Sequence, residues 1–385
     1  MIFHNKGMSA REHFRDRRTA YNRIKRGWKG DQMLPKPEVR DLSRADICDL
    51  TVIVPAYNEA ESIADTVRSL KNQTLMPAKI IVVDDCSTDG TGEIARTCGV
   101  TVIRPETNTG TKAGAQNLAL KQVRTKYTMA VDADTTLAPD AIELLMKAFD
   151  GGDVAAACGF VVPRHVRTLW ERGRYIEYLF AFTFYKPIQD YYEKPLISSG
   201  CFSVYDTRIL KANGGWSTRT MAEDMDLTWS FYQAGHAVRF IPEAVCYPIE
   251  PHSFDFMKKQ LKRWSHGFIQ NVQLHWRGVL KIEYLRTLVG LAMWDATIAS
   301  VAFLVAIPLL AIFVSPLFLI GYVVDLPAVL VPVLVKAHRR NEVGKALASF
   351  PAFFVLRFVN AIFFLNAFTK EMLLGQRLSV YEKGH

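Results

Sequence analysis

The stretch "LTVIVPAYNEAESI", Leu50–Ile63, decides the fold class. Its first half is a continuous run of β-branched and apolar residues, the pattern of a strand buried on both faces. Its second half changes period. Asn58 is followed three residues later by Glu61, a capping-box spacing, and Ile63, Val67 and Leu70 then recur on one helical face. The same alternation repeats downstream. "KIIVVDD" reads as a second buried strand, "VTVIRP" as a third and "YTMAVDAD" as a fourth, with Pro139 where the next helix would start. Strands alternating with helices predict a parallel, doubly wound α/β layer. Ligands in such sheets bind beyond the carboxyl ends of the strands. Tyr57, Asp84, Asp85, Asp132 and Asp134 all fall at predicted strand ends.

Composition narrows the chemistry. The chain has 385 residues, a formal charge of +9 and a sequence pI near 9.2. Such a balance suits polyanions such as nucleotide phosphates, an anionic membrane face or nucleic acid. No nucleic-acid recognition motif is present, and nucleic acid is not expected as a partner. No G-x-G-x-x-G follows the first strand, which weakens a dinucleotide-binding reading, and no G-x-x-x-x-G-K-[ST] is present, which excludes a P-loop. Six scattered cysteines, with no C-x-x-C pair, give neither a zinc pattern nor a disulfide framework.

Acids crowd the predicted strand ends of this basic chain. Asp132 and Asp134, in "DAD", point to one side of an extended segment. Two such carboxylates, completed by substrate phosphates, suit a hard cation such as Mg²⁺ or Mn²⁺; a surface turn is the bland alternative. "NTGTKAGAQN", Asn108–Asn117, joins small residues to Lys112, a point charge for phosphate or a plain helix cap. "MAEDMDL" holds Glu223, Asp224 and Asp226. Such a cluster reads either as a charged helix start or as the base that takes a proton from an attacking hydroxyl.

Residues from about 49 to 272 resemble the family 2 glycosyltransferases with a GT-A fold, most of all the membrane synthases of β-linked polysaccharide. The elements that carry the likeness are "VPAYNEAESI", "VVDDCSTDGT", "NTGTKAGAQN", "VDADT", "SSGCFSVY", "GGWSTRTMAEDMDL" and "KKQLKRW", in the family's order. The resemblance implies that Pro55, Tyr57 and Glu59 border a uracil and that Asp84, supported by Asp85, bonds base or ribose. It implies Lys112 near the diphosphate, Asp132 on the nucleotide with Asp134 on a divalent metal, and Asp224 as catalytic base beside Glu223. Gln260, Arg263 and Trp264 match a Q-x-x-R-W motif by the acceptor and diphosphate, and Ser199 and Cys201 lie in the loop beside the acceptor sugar. His252 reads as structural. The implied reaction transfers a sugar, N-acetylglucosamine or glucose, from a UDP-sugar to a growing β-linked glycan with inversion at the anomeric carbon; the alternatives are transfer of one or a few sugars to a lipid or protein, and a catalytically inactive subunit that only binds the nucleotide sugar.

Three regions follow. Residues 1–48 form a basic arm with no apolar run. Between Arg11 and Gly30 it carries eight Lys or Arg against two acids, and reads as a solvated arm or as a helix on anionic headgroups. Residues 49–275 are the catalytic domain. Residues 276–385 are strongly apolar and read as two or three membrane helices, since a span needs about 20 apolar residues; the last, with Arg357 and Asn360 close on one face, reads as a third span or as an interfacial amphipathic helix. Asp325 falls inside the second of these, and must face protein or a polar path, or mark a turn after a longer first span. "KAHRRNEVGK", Lys336–Lys345, carries four Lys or Arg, which puts it with the catalytic domain on the cytoplasmic side. With so few helices, a secretion channel would need a homo-oligomer or an accessory export subunit.

Overall fold

The computed structural model describes residues 46–150 and 152–379, which belong to one compact unit. The expected basic arm lies outside the described residues, apart from Asp46, Ile47 and Cys48, which are already strand. The first half alternates as the sequence pattern predicts: β1 (Asp46–Ala56), α1 (Ile63–Lys71), β2 (Leu75–Asp84), α2 (Thr91–Thr97), β3 (Thr101–Ile103), α3 (Lys112–Leu120) and β4 (Tyr127–Val131). Then come β5 (Thr136–Leu137), α4 (Ala141–Met146), β6 (Val154–Val161), α5 (Leu169–Phe180), α6 (Lys186–Tyr191), β7 (Phe202–Asp206), α7 (Thr207–Ala212), α8 (Glu223–Gln233) and β8 (Ala237–Tyr247). The 28-residue helix α9 (Phe254–Lys281) closes the domain.

The sheet order is β3-β2-β1-β4-β7-β6-β8-β5. The first four strands are parallel. β7 then pairs antiparallel with both β4 and β6, β8 runs parallel to β6, and β5 lies antiparallel on β8. The doubly wound half is the one the hydrophobic runs predict, and the mixed half is an addition. Val52, Ile53 and Val54 are fully buried in succession because helices cover both faces of β1.

One local expectation is corrected. Asn58 and Glu61 do not form a capping box. Asn58 adopts a left-handed φ of 53°, and its Oδ1 accepts a hydrogen bond from the Thr88 backbone N at 2.9 Å. α1 starts only at Ile63, after Ser62. A short polar side chain able to enter the left-handed region serves better as a loop pin than as a cap.

Three long apolar helices follow α9: α10 (Glu283–Phe313), α11 (Pro316–Arg339) and α12 (Val343–Leu373), each containing an 18-residue stretch of mean hydropathy 2.5, 2.3 and 1.8 respectively. By length and composition each is able to cross a membrane. The expected boundary at residue 275 falls inside α9, which runs on to Lys281 and stops just before α10 begins at Glu283. Asp325 faces protein. Arg357 Nη1 and Nη2 donate to its two carboxylate oxygens at 3.0 and 2.6 Å. The main core mixes both regions: Tyr175 and Ile176 of α5 cluster with Val329, Val333 and Ala337 of α11 and with Ala346, Phe350 and Phe353 of α12.

Candidate active site

A cavity of about 1050 Å³ opens at the carboxyl ends of the parallel strands. From the strand ends it takes Pro55, Tyr57, Glu59, Asp85, Asp132 and Asp134. Lys112, at the start of α3, Ser199 and Cys201, before β7, and Glu223 and Asp224, at the start of α8, form the next part of the wall. Gln260, Arg263 and Trp264 of α9 complete it. Residues spread over some 200 positions of sequence thus converge. Asp84 is the exception: it is fully buried and outside the lining. Its Oδ2 pairs with Arg104 Nη1 and its Oδ1 accepts from Ser87 N at 3.0 Å. Asp85 reaches the cavity, while its carboxylate accepts from Thr109 N and Thr109 Oγ1, each at 2.8 Å.

The centre of the cavity is an acid cluster around one lysine. Lys112 Nζ lies 2.5 Å from Asp132 Oδ1 and 3.9 Å from Glu223 Oε1, and donates to the Gly200 carbonyl at 3.1 Å. Asp224 Oδ2 accepts from Gly200 N and its Oδ1 from Met225 N, both at 2.9 Å. The chain can approach this closely only at glycine, because a Cβ on residue 200 would stand 2.8 Å from Asp224 Oδ2. Burial raises Asp224 above the ordinary carboxylate range, while Lys112 and the two N–H donors oppose the rise. Burial also pushes Glu223 up to about 7, with Lys112 opposing and the Asp224 charge adding to the rise. Asp226, one residue pair further on, behaves oppositely. Burial alone would raise it, but Arg219 and His275 bond it and hold it at about 2. Asp226 ties α8 to α9, and it does not line the cavity.

Sequence reasoning missed the residue that organises the α9 wall. Arg174 of α5 is buried, with its guanidinium 4.4 Å from the Trp264 ring. Its Nη2 donates to Gln260 Oε1 at 2.7 Å, and its Nη1 pairs with Glu177. Glu177, Tyr178 and Glu250 also reach the cavity, and Tyr178 OH donates to Glu250 Oε1 at 2.9 Å. Burial raises Glu250, with Arg174 opposing. The signal was present in "LWERGRYIEYLF", where Glu171, Arg174 and Glu177 recur every three residues in a helix whose only other charged residue is Arg172. Lys186 is a second omission: it is buried, and donates to Ile197 O and Ser199 Oγ at 3.0 Å each, fixing the Ser198–Cys201 loop. His252 lies outside the lining, 6.0 Å from the Phe256 ring.

Among the described residues no group of three or more His, Cys, Asp or Glu side chains is arranged to hold a metal. The donor set nonetheless fits a hard cation bound together with substrate. Asp132 and Asp134 offer oxygens to one cavity, and an ammonium already sits against Asp132.

Residues 51–214 match the model of glycosyl transferase family 2. Residues 51–214 are a family 2 glycosyltransferase domain. The poly-beta-1,6-N-acetyl-D-glucosamine synthase of Staphylococcus epidermidis is 27% identical over 223 residues, 57% of this chain and 54% of that protein. The synthase of the same name from Staphylococcus aureus (strain COL) is 26% identical over 232 residues, 59% of this chain and 56% of its own. The alignment therefore spans about half the length of these curated relatives. In fold, the chain is similar over most of its length to the mannosyltransferase PcManGT from Pyrobaculum calidifontis, solved with GDP-Man and Mn²⁺. The TM-score is 0.56 at 20% identity, over 94% of this chain and 96% of that one.

Proposed function

We propose that this glycosyltransferase moves a sugar, N-acetylglucosamine or glucose, from a UDP-sugar to the hydroxyl of a glycan acceptor, with inversion, at a membrane surface. The observation that carries the reading is the placing of Asp224 and Lys112 in one cavity, joined through Gly200. Tyr57, Glu59 and Asp85 hold the base and ribose, with Pro55 as the floor. Asp84 acts from outside the cavity by fixing Ser87 and Arg104. Trp264 offers a ring face to the acceptor sugar, and Gln260, Ser199 and Cys201 orient it. Asp224, raised by burial, takes the proton of the attacking hydroxyl as the oxygen closes on the anomeric carbon. Glu223 beside it keeps the pair's proton affinity high near neutral pH. The bond from that carbon to the diphosphate breaks, and Lys112 with Arg263 offsets the charge left on the departing oxygens. Asp132 and Asp134 are the residues that would hold Mg²⁺ or Mn²⁺, which would supply further positive charge at the diphosphate.

The far end of the cavity is walled by Ala292, Asp295 and Ala296 of α10 and by Phe364 of α12. That wall favours a second reading of the acceptor, a short glycan carried on a lipid, to which one or a few sugars are added. The basic segment at residues 336–345 supports a cytoplasmic catalytic face.

The test is turnover. Full-length protein in membranes is given a panel of UDP-sugars with Mn²⁺ or Mg²⁺, with and without glycan and lipid-linked acceptors, and UDP release and product length are measured. Release that depends on one UDP-sugar and on an acceptor is expected. Absence of turnover with every donor overturns the proposal.

A further inference from the structure

Three long apolar helices invite the conclusion that the chain crosses a bilayer three times, yet their contacts point elsewhere. Helix α12 touches the catalytic domain along its whole length. At its start, Glu342 Oε2 accepts from Tyr175 OH of α5 at 3.0 Å. Three to four turns on, a Cβ at Gly173 of α5 would meet the Ala352 carbonyl and Leu356 at 3.1 Å. In the middle, Asn360 Nδ2 donates to Glu177 Oε1 at 3.0 Å. Further on, Phe364 packs on Phe268 of α9, with ring centroids 6.1 Å apart. At its end, Glu371 Oε1 accepts from Gln270 Nε2 at 2.8 Å and lies 2.7 Å from His266 Nδ1. From Glu342 to Glu371 is about 44 Å of helix at 1.5 Å per residue. A hydrocarbon core is about 30 Å thick. Were α12 to cross it, α5 and α9, which carry Arg174, Gln260 and Arg263, would have to cross beside it.

The rest of the apolar segment forms a hairpin that returns to its origin. Phe303 of α10 packs on Phe358 of α12, with centroids 4.5 Å apart, and Tyr322 OH on the returning limb donates to Phe303 O at 3.0 Å. α11 then runs back into the main core through Val329, Val333 and Ala337. Beyond Phe303 the limb runs ten more residues, about 15 Å of helix or half a hydrocarbon core, to Phe313, while Leu291, Trp294 and Ile298 before it are also exposed. The tip is bare and apolar: Phe313 is 79% and Leu317 80% exposed.

We propose that α10–α12 form an in-plane platform embedded in the single leaflet facing the catalytic domain, with the 303–322 hairpin tip as its deepest point and no segment among them crossing. The occupant of the exposed apolar surface is lipid hydrocarbon, reached from one side only. Arg286 and Arg339, exposed at the two roots of the hairpin, lie at headgroup depth, where anionic lipid favours them. A platform of this kind builds no channel from this chain. The acceptor then arrives, and the product leaves, on the same face as the nucleotide donor.

The experiment is accessibility in sealed membranes. Leu317→Cys, His338→Cys and Gln376→Cys are made singly in the full chain, at exposed positions that leave the packing intact. The six native cysteines all lie between residues 48 and 246, so in vesicles that enclose the catalytic domain they are shielded from an impermeant maleimide. None of the three new cysteines is expected to label from outside, and all should label once detergent is added. A crossing α12 would instead put His338 and Gln376 on opposite faces. Labelling of any one of the three from outside, with the native cysteines still protected, overturns the proposal. A fluorophore attached to the Leu317→Cys variant at its new thiol should be quenched most by lipids brominated near the chain ends, and quenching strongest from headgroup-level bromine would also overturn it.

Discussion

Replacing Asp224 by Asn tests the catalytic assignment most directly. The side chain keeps its shape, but its role as proton acceptor is gone. A positioned base contributes typically 10²–10⁴-fold, or about 3–5 kcal/mol of barrier, and a loss in that range is expected in kcat. The local geometry adds a second, separable cost. Asp224 accepts one N–H on each oxygen, from Gly200 and from Met225. An amide has one acceptor oxygen, so one of those N–H groups must face an NH₂. An unmet buried donor costs about 1–3 kcal/mol. Loss of a buried carboxylate beside Glu223 and Asp132 works in the opposite direction, since burial and like charge both raise its proton affinity. The variant should therefore melt within a few degrees of the wild type, bind UDP-sugar with unchanged affinity, and turn over at a hundredth of the rate or less. UDP release gives the rate and calorimetric titration gives the affinity. A variant retaining more than a tenth of the wild-type kcat would refute the assignment, and an inactive Glu223→Gln beside an active Asp224→Asn would move the base to Glu223.

Gly200→Ala should lower kcat by at least tenfold with little effect on nucleotide affinity, because the new methyl pushes on Asp224, and a shift of about 1 Å at a reacting group costs up to 10²-fold. The pH dependence has a defined sign. Glu223 is raised to about 7 in the fold from an ordinary value of 4.5, so its contribution to stability is complete below 4.5 and is lost as pH rises through 7. Denaturant melts should show Glu223→Gln gaining stability relative to wild type between pH 5 and 8, and activity should fall on the acid side at a higher pH than an ordinary carboxylate would give. Asp325→Asn and Arg357→Gln should each destabilise the protein in lipid, while the double variant should lose less than the sum by about 0.5–3 kcal/mol, as expected of a contacting pair. Additive losses in thermal inactivation would mean that the pair contributes no coupling.

What could be read from the chain was whatever is local in sequence. The runs at 50–56, 78–84 and 127–131 announce buried parallel strands because both faces are apolar, and the strand-end acids follow by position. The motifs around Lys112, Asp224 and Gln260 are contiguous, so their chemistry is legible even though the cavity joins them across long separations. Partners were not legible. Arg174 matters through Gln260 and Trp264, some 90 residues away, and no window of sequence shows that. Asp84 and Asp85 look equivalent in "VVDD", but side chains alternate along a strand, and only the second reaches the cavity. Asn58 has the spacing of a cap, yet the loop at Thr88 offers it a better partner. The antiparallel strand β7 escaped because "CFSVY" alternates polar and apolar residues over too short a length.

The shared core has a consequence for the order of events at the ribosome. Tyr175, Phe160 and the sheet they cover find their last packing partners at Val333 and Phe353. The sheet's final long strand ends at Tyr247, about a hundred residues earlier. At roughly 5–20 residues per second that gap lasts on the order of 5–20 s. During it the catalytic sheet stands with one apolar flank open, and a lipid surface close to the nascent chain would be the natural cover for it.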